Sequence, residues 1–247
     1  MSISKNEGWG KFNEVDEKYF SYIDQLLESD LPAKDLIYQF PAYVGHVNLA
    51  RFLFFYDLYK QTIGLNGHIA DVGTWKGASF LFMAKMIKLF EPYSPTQAYA
   101  FDWFQGMEPG KDDDENQLGK YSAEYESLIK LVELQGLSDI AIINKMDVTS
   151  ELVPYFQARP WMRFKFVFID CGIEGVLESS LANFWPRLVN GGVLVLDHYN
   201  SQASPTESRI LEKYIGNLPI RQAPFNRQPT CYVIKSDVQP VFDGIKW

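Results

Sequence analysis

The chain has 247 residues, of which 47% are apolar and 22% charged, and its formal net charge is −8. These values are typical of a globular protein and exclude a disordered chain, which would be poorer in apolar residues. An acidic chain without a basic run is a poor candidate for nucleic-acid binding, because that affinity comes mainly from Lys and Arg on phosphates. The two cysteines, Cys171 and Cys231, provide neither a disulfide framework nor a cysteine zinc site.

The N-terminal segment has no apolar stretch or cleavage pattern typical of a secretion signal. The most apolar runs, such as 49–59, contain charged residues and are too short to span a bilayer. Together with the sparse cysteines, these features predict a cytoplasmic location and no membrane association.

Helical periodicity dominates the first part of the chain. Apolar residues recur at helical spacing over 19–27, and a second helix is predicted over 46–61 with Gly64 close to its end. We expect residues 1–66 to form a helical cap that belongs to the same domain as residues 67–247.

The rest of the chain alternates short apolar runs with amphipathic stretches. The apolar runs, predicted to be parallel strands, are 68–73, 98–102, 140–147, 164–170 and 192–197. The amphipathic stretches, predicted to be helices, are 79–89, 122–134 and 176–188. This alternation indicates a three-layer α/β domain with a parallel sheet covered on both faces. Two further β-like runs, 219–223 and 230–235, predict a C-terminal antiparallel hairpin at the sheet edge.

An acid stands at or beside the end of every predicted parallel strand. The acids are Asp71, Asp102, Asp147, Asp170 and Asp197. A single acid at such a position is commonly the N-cap of the next helix. Five in succession favour a ligand site, because ligands of open α/β sheets bind beyond the carboxyl ends of the strands.

The first strand end, Asp71-Val-Gly-Thr-Trp-Lys-Gly77, places two glycines between a strand and a helix. We expect Gly73 to allow close approach of a ligand and Gly77 to allow the helix to pack on the strand. The segment lacks the G-x-G-x-x-G spacing of dinucleotide sites and the Gly-Lys-Ser/Thr of phosphate loops. It therefore favours a nucleoside ligand without phosphates, with Asp102 accepting from the ribose hydroxyls and Asp147 from the adenine amino group.

The strand-end motifs resemble those of class I S-adenosylmethionine-dependent methyltransferases. Besides the first turn, the resemblance depends on Asp147-Val-Thr149, Phe168-Ile-Asp170 and Gly191-Gly-Val-Leu-Val-Leu-Asp-His-Tyr199. More narrowly, the chain resembles the macrocin O-methyltransferase family, which methylates sugar hydroxyls during antibiotic and polysaccharide assembly. The resemblance covers about residues 48–235. It implies a doubly wound, Rossmann-like sheet of seven strands, helices over the site, a small-molecule acceptor and a homo-oligomer.

The resemblance also implies where S-adenosylmethionine binds. Its methionine part is expected beside the first turn, its ribose beside Asp102 and its adenine beside Asp147. The implied cofactor-binding residues, all at or just after strand ends, are Asp71, Gly73, Thr74, Gly77, Ser79, Asp102, Trp103, Asp147, Val148 and Asp170.

Relatives bind a divalent cation, typically magnesium, beside the methyl group with acids at the ends of strands four and five. The corresponding positions here are Asp170, Asp197 and His198, which are the predicted metal ligands. Relatives usually read Asp-Gly-Asp and Asp-Asp-Tyr there, whereas this chain has Asp170-Cys-Gly172 and Asp197-His-Tyr199, so two carboxylates are replaced. Two facing carboxylates repel unless a cation lies between them or one is protonated.

The leading hypothesis is an S-adenosylmethionine-dependent O-methyltransferase acting on a small acceptor, a sugar or a glycosylated intermediate. Asp170 and His198 are the candidate catalytic residues: a metal at Asp170 and Asp197 would activate the hydroxyl, and without one Asp170 or His198 would act as base. A packed histidine bonded to backbone explains His198 equally well. Two alternatives are a NAD-linked oxidoreductase, disfavoured by the missing G-x-G-x-x-G, and a non-catalytic nucleoside-binding protein derived from a methyltransferase.

Overall fold

One sheet organises the fold of this computed structural model, which describes residues 8–111, 113–202 and 204–236. Its strands within those residues are β1 (His68–Val72), β2 (Ala98–Asp102), β3 (Ala141–Lys145), β4 (Phe164–Ile169), β5 (Leu188–Leu196) and β6 (Cys231–Ile234). Their spatial order is β3-β2-β1-β4-β5-β6. The first five strands are parallel, and β6 pairs antiparallel with β5 at the edge.

Helices precede the sheet and connect its strands, and two of them, Val148–Gln157 and Pro205–Ile215, were not predicted from the sequence. The α-helices of the described residues are α1 (Asn13–Glu28), α2 (Ala33–Tyr38), α3 (Phe40–Tyr43), α4 (His46–Thr62), α5 (Ala78–Phe90), α6 (Tyr125–Leu134), α7 (Val148–Gln157), α8 (Glu174–Phe184) and α9 (Pro205–Ile215). None of these helices is long and apolar enough to cross a membrane.

Apolar side chains cover both faces of the sheet, which explains why its strands read as continuous apolar runs. On one face, α4, α5 and α6 bury residues such as Phe55, Phe80 and Leu128. On the other face, α7, α8 and α9 bury residues such as Phe156 and Leu177. Every residue of β4 is buried, as a strand covered on both sides requires. The three-layer α/β architecture is confirmed.

The predicted C-terminal hairpin is reduced to one strand and a single bridge. The second predicted run forms β6, but 219–223 forms only an isolated bridge between Arg221 and Tyr232. Pro219 and Pro224 bracket this run and have no amide hydrogen to donate, so the ladder does not extend beyond the bridge. The sheet of the described residues therefore has six strands where seven were expected.

The helix predicted over 176–188 ends early. α8 stops at Phe184, a 3₁₀ turn follows over Trp185–Arg187, and β5 begins at Leu188, earlier than the sequence suggested. Pro186 accounts for the difference, because a proline has no amide hydrogen to donate to the carbonyl four residues earlier, so the α-helix cannot continue through it.

The predicted cap, residues 1–66, divides into a peripheral and a central part. Its segment 1–7, like residues 237–247, lies outside the described residues. α1, α2 and α3 bury no residue, and they expose Ile37 and Tyr38. α4, in contrast, packs against β4 and β5 and belongs to the core.

A buried ion pair joins the sheet to the helices at the end where β4 begins. Lys165 is fully buried, and its Nζ donates to Oε1 of Glu91 at 2.5 Å. The hydroxyl of Tyr59, on α4, donates to Oε2 of the same carboxylate at 2.5 Å. Because both side chains are buried, removing either one would leave the charge of the other in the interior without its counter-ion.

Candidate active site

The turn between β1 and α5 is shaped by two glycines in the left-handed region. Gly73 has φ +79°, and a Cβ there would lie 2.2 Å from the carbonyl oxygen of Asp170. Gly77 has φ +85°, and a Cβ there would lie 2.4 Å from Leu128 of α6. The lack of a side chain at Gly73 thus makes room for the backbone directly after β4, and the predicted contact of Gly73 with a ligand stays a prediction. Likewise, the lack of a side chain at Gly77 makes room for Leu128 of α6, whereas from the sequence we expected it to let α5 pack on β1.

A pair of substitutions tests this explanation of Gly73. Gly64 also has a left-handed φ, +89°, but nothing lies within 4 Å of a Cβ there. Gly64→Ala should cost about 1–2 kcal/mol, the penalty for a left-handed alanine. Gly73→Ala adds the collision with Asp170, so its melting temperature in thermal denaturation should fall clearly further. Equal melting temperatures would show that the turn has room to spare.

Asp71 presents a buried acceptor at the end of β1. Its side chain is 2% exposed, and Oδ1 accepts from the hydroxyl of Thr74 at 2.8 Å. Oδ2 has no hydrogen-bond partner among the described residues. Burial raises the pKa of Asp71 to about 6, against the opposing effect of the nearby hydroxyls of Ser79 and Thr74. A buried carboxylate oxygen without a partner is costly, so it is suited to a donor from a ligand.

Asp102 ties the first turn to β2. Oδ2 accepts from the backbone N–H of Trp75 at 2.7 Å, and Oδ1 accepts from the N–H of Phe104 at 2.6 Å. Burial raises the pKa of Asp102, and these backbone hydrogen bonds oppose the rise. The neighbouring Trp103 donates its indole N–H to the carbonyl of Gly106 at 2.5 Å. Asp102 therefore lies close to the first turn, which is the position expected of a residue that binds the ribose of the cofactor.

Asp147 is the N-cap of α7. Oδ1 accepts from the backbone N–H and the hydroxyl of Thr149 at 2.9 and 2.7 Å, and Oδ2 accepts from the hydroxyl of Ser150 at 2.8 Å. Val148, the first residue of the helix, is buried in the core. These bonds are the capping role weighed from the sequence. Contacts of Asp147 and Val148 with adenine stay predictions.

One arginine forms ion pairs with both Asp170 and Asp197, which follow the ends of β4 and β5. Arg51 of α4 donates from one guanidinium nitrogen to Asp170 Oδ2 at 2.8 Å and from the other to Asp197 Oδ1 at 2.7 Å. Burial acts to lower the pKa of Arg51, but the charges of Asp197 and Asp170 raise it, so the guanidinium stays charged. Burial and the charge of Asp197 raise the pKa of Asp170 well above its usual range, and Arg51 opposes them.

The two acids differ in access. The side chain of Asp197 is 3% exposed, and its Oδ2 accepts from the amide of Gln228 at 2.9 Å, so both of its oxygens have partners in the protein. The side chain of Asp170 is 29% exposed. Asp170 is therefore the acid of this pair that a small molecule reaches.

His198 lies beside the pair. Its Nε2 is 3.6 Å from Asp197 Oδ2 and 3.3 Å from the amide nitrogen of Gln228. Burial and the charge of Arg51 lower the pKa of His198, while Asp197 raises it, and the net direction is down. Its backbone N–H donates to Oε1 of Glu207 at 2.9 Å, and Glu207 is fully buried. Burial also raises the pKa of Glu207 well above its usual range.

The residues predicted to bind a metal are brought together. Asp170, Asp197 and His198 each offer one ligand atom, and these atoms lie within 4.8 Å of one another. Two of the four carboxylate oxygens, however, already bond to the guanidinium of Arg51. The donor set as it stands fits this guanidinium rather than a magnesium ion, which prefers oxygen ligands in an octahedral arrangement.

Arg51 and Glu207 are the site residues that sequence reasoning missed. In the sequence, Arg51 stands out only as a charge within the apolar run 49–59. A lone arginine in such a run is the signal that could have been used, because a charge in the interior is almost never left unpaired. Its partners, however, lie more than a hundred residues away in the sequence.

A cavity of about 600 Å³ opens next to these strand ends. It lies between the N-terminal segment, the residues after β5 and the loop before β6. Tyr199 and Asn200, which directly follow His198, form part of its wall. Three basic residues also line it: Lys11, Arg221 and Arg227.

Comparisons with known proteins agree with this geometry. A model of the Methyltransf_24 family, described as a methyltransferase domain, matches residues 70–199. Mycinamicin III 3″-O-methyltransferase of Micromonospora griseorubida is 24% identical over 147 residues, 55% of this chain and 56% of that protein. The match thus spans about half the length of this curated relative.

Solved structures share the fold over most of the chain. CalS11, a calicheamicin methyltransferase, aligns with a TM-score of 0.80 at 19% identity, covering 96% of this chain and 95% of its own. An apo structure of CalS11, named there a TDP-rhamnose 3′-O-methyltransferase, gives 0.73 at 20% identity, covering 91% and 95%. The O-methyltransferase NovP gives 0.64 at 16% identity, covering 76% and 80%. Because the family model matches more than half of the residues, the chain belongs to the Methyltransf_24 family of class I methyltransferase domains.

Proposed function

We propose that this protein is an S-adenosylmethionine-dependent O-methyltransferase whose acceptor is a sugar or a glycosylated biosynthetic intermediate. The observation that carries the proposal is the placement of a reachable acid, Asp170, beside the first turn of a methyltransferase-domain fold. By their names, the mycinamicin enzyme is a 3″-O-methyltransferase and CalS11 is a methyltransferase for the 3′ oxygen of TDP-rhamnose. Their likeness to this chain supports the same class of acceptor.

The residues at the ends of β1 and β2 suit S-adenosylmethionine. Asp71 offers the cofactor's amino group a buried oxygen without a protein partner. Asp102 offers a carboxylate to the ribose hydroxyls next to the same turn. We assign the remaining predicted contacts, those of Gly73, Thr74, Gly77, Ser79, Trp103, Asp147, Val148 and Asp170, to the same ligand.

Asp170 is the proposed general base. The bound cofactor supplies a methyl group that its sulfonium charge has already activated, so the protein has to orient the acceptor oxygen and take its proton. The pKa of Asp170 is raised, which brings its carboxylate closer to the basicity that proton abstraction near neutral pH needs. His198, with its lowered pKa, is the second candidate, since a neutral imidazole also accepts a proton.

The cavity beside Tyr199 is the proposed acceptor site. Two residues of its wall, Tyr199 and Asn200, directly follow Asp197 and His198 in the chain, which places the cavity near the end of β5. The basic side chains of Lys11 and Arg221 favour an acceptor that carries negative charge, such as a nucleotide-linked sugar, whereas Arg227 is already paired with Asp16. A homo-oligomer and a cytoplasmic location remain our predictions.

Asp102→Ala is expected to weaken S-adenosylmethionine binding by about 1–3 kcal/mol, because the ribose hydroxyls lose a charged acceptor. Titration calorimetry on the folded variant measures the change. Asp114→Ala is the matched control, since Asp114 is an exposed acid whose carboxylate bonds within its own loop to Asn116. Unchanged affinity in Asp102→Ala would remove Asp102 from the cofactor site.

The same calorimetry, run with NAD⁺, separates the enzyme classes. We expect heat of binding from S-adenosylmethionine and none from NAD⁺, because the first turn lacks the spacing that a dinucleotide needs. Binding of NAD⁺ in preference to S-adenosylmethionine would favour the oxidoreductase. The third reading, a non-catalytic nucleoside-binding protein, predicts cofactor binding without any methyl transfer.

A divalent cation was part of the function predicted from sequence. Magnesium at Asp170, Asp197 and His198 would lower the pKa of the acceptor hydroxyl and orient it. That version requires Arg51 to leave the two carboxylates it now bridges. We therefore assign proton removal to the protein's own residues.

A further inference from the structure

The carboxylates of Asp170 and Asp197 share a positive charge that comes from the helical cap. Arg51 bonds to both, at 2.8 and 2.7 Å. Its guanidinium carbon also lies 5.6 Å from the ring centre of Phe55 and 5.4 Å from that of Phe168. Two charge-assisted bonds and two aromatic rings fix the guanidinium in one orientation.

We infer that the guanidinium of Arg51 is the cation of this site and takes the place of a divalent metal. Methyl transfer then needs no metal, an inference that rests on the proposed function. The guanidinium neutralises the repulsion between two facing carboxylates, the task for which a metal would be required. Because Arg51 belongs to α4, its two ion pairs also connect the helical cap to the ends of β4 and β5.

The geometry leaves too few ligands for a metal beside Arg51. Asp170 Oδ2 and Asp197 Oδ1 bond to the guanidinium, and Asp197 Oδ2 bonds to Gln228. What remains is one oxygen of Asp170 and the ring of His198, whereas a hard divalent ion seeks a shell of oxygen ligands. A divalent charge next to a buried guanidinium would also be repelled.

Arg51 acts on the reaction as a positioning residue. Its bond to Oδ2 of Asp170 holds the carboxylate in place while the side chain stays reachable. Without this bond, the proposed base would be free to turn away from the acceptor oxygen. Misplacement by about 1 Å costs on the order of 10²-fold in rate.

The test uses Mn²⁺ as the probe, because its binding is read by electron paramagnetic resonance without any turnover. Wild-type protein should bind no Mn²⁺ at this site, and chelator should leave its methyl transfer unchanged. Arg51→Met removes the charge but keeps the length, so the freed carboxylates should gain a Mn²⁺ site. The double variant Arg51→Met/Asp197→Asn should lose that site again.

Activity provides the second readout. Arg51→Met should lower kcat by about 10²-fold with little change in KM for S-adenosylmethionine, and added Mn²⁺ should restore part of kcat. Lys60→Met is the matched control: it removes an exposed cation from the same helix, paired with Asp57, and should change neither Mn²⁺ binding nor kcat.

Mn²⁺ binding to wild type that Asp197→Asn abolishes, or loss of wild-type activity with chelator, would overturn the inference. If Arg51→Met does not fold, the wild-type measurements still decide, and Arg51→Lys, which keeps a cation, should bind no Mn²⁺. Calorimetry with S-adenosylmethionine keeps the two proposals apart. A protein that binds neither this cofactor nor Mn²⁺ would contradict the methyltransferase function but not the assignment of Arg51 as the cation.

Discussion

Asp170→Asn is expected to lower kcat for methyl transfer by about 10²–10⁴-fold, the usual share of general-base catalysis. The amide has nearly the shape of the carboxylate, but it cannot take the proton of the acceptor hydroxyl. The Kd for S-adenosylmethionine should change little, because nine of the ten proposed cofactor contacts, including those of Asp71 and Asp102, are unchanged. Single-turnover kinetics measures the chemical step, and calorimetry measures the affinity.

His198→Gln is the comparison that assigns the base. Gln keeps hydrogen-bonding capacity next to Gln228 and Asp197 but cannot accept the proton. We expect a much smaller loss of kcat than in Asp170→Asn. The opposite order, with His198→Gln as the more damaging change, would move the base to the histidine and leave Asp170 as an anchor for Arg51.

Lys165→Met is expected to lower the free energy of unfolding by about 3–5 kcal/mol, the usual cost of leaving one partner of a buried ion pair without the other. Lys165 is fully buried, and of the partners seen among the described residues the Glu91 carboxylate would keep only the hydroxyl of Tyr59. Urea denaturation measures the change.

Two further variants test whether the loss of stability comes from the unpaired buried charge. Lys60→Met removes one partner of the exposed pair with Asp57 and should cost about 0–1 kcal/mol. The double change Lys165→Met/Glu91→Gln removes both buried charges and should recover much of the loss. If Lys165→Met were as mild as Lys60→Met, the buried pair would contribute little to stability.

The sheet was readable from the sequence because its strands are covered on both faces. The run 98–102 was predicted with the bounds that β2 has, since apolar residues there end abruptly at an acid. The bounds of two elements were predicted incorrectly because of prolines. Pro186 ends α8 and Pro219 shortens the hairpin, although the apolar pattern continues through both positions. Proline positions would have corrected these boundaries.

The acids of the site were also readable, because parallel strands bring their carboxyl ends to one edge. Their partners were not. The bonds from Arg51 join α4 to residues beyond position 169, and no local pattern encodes such a pairing. Asp147 shows the opposite case, since Thr149 and Ser150 complete a cap that is local enough to be recognised from sequence.

Transfer of an isotopically labelled methyl group to a panel of hydroxylated acceptors, followed by mass spectrometry, tests the methyltransferase function most directly. The panel should contain nucleotide-linked sugars and their uncharged counterparts, with chelator present throughout. We predict a labelled methyl ether on a sugar oxygen with the wild-type protein and almost none with Asp170→Asn. Tight binding of S-adenosylmethionine with no label on any acceptor would contradict the proposed function and favour a non-catalytic binding protein.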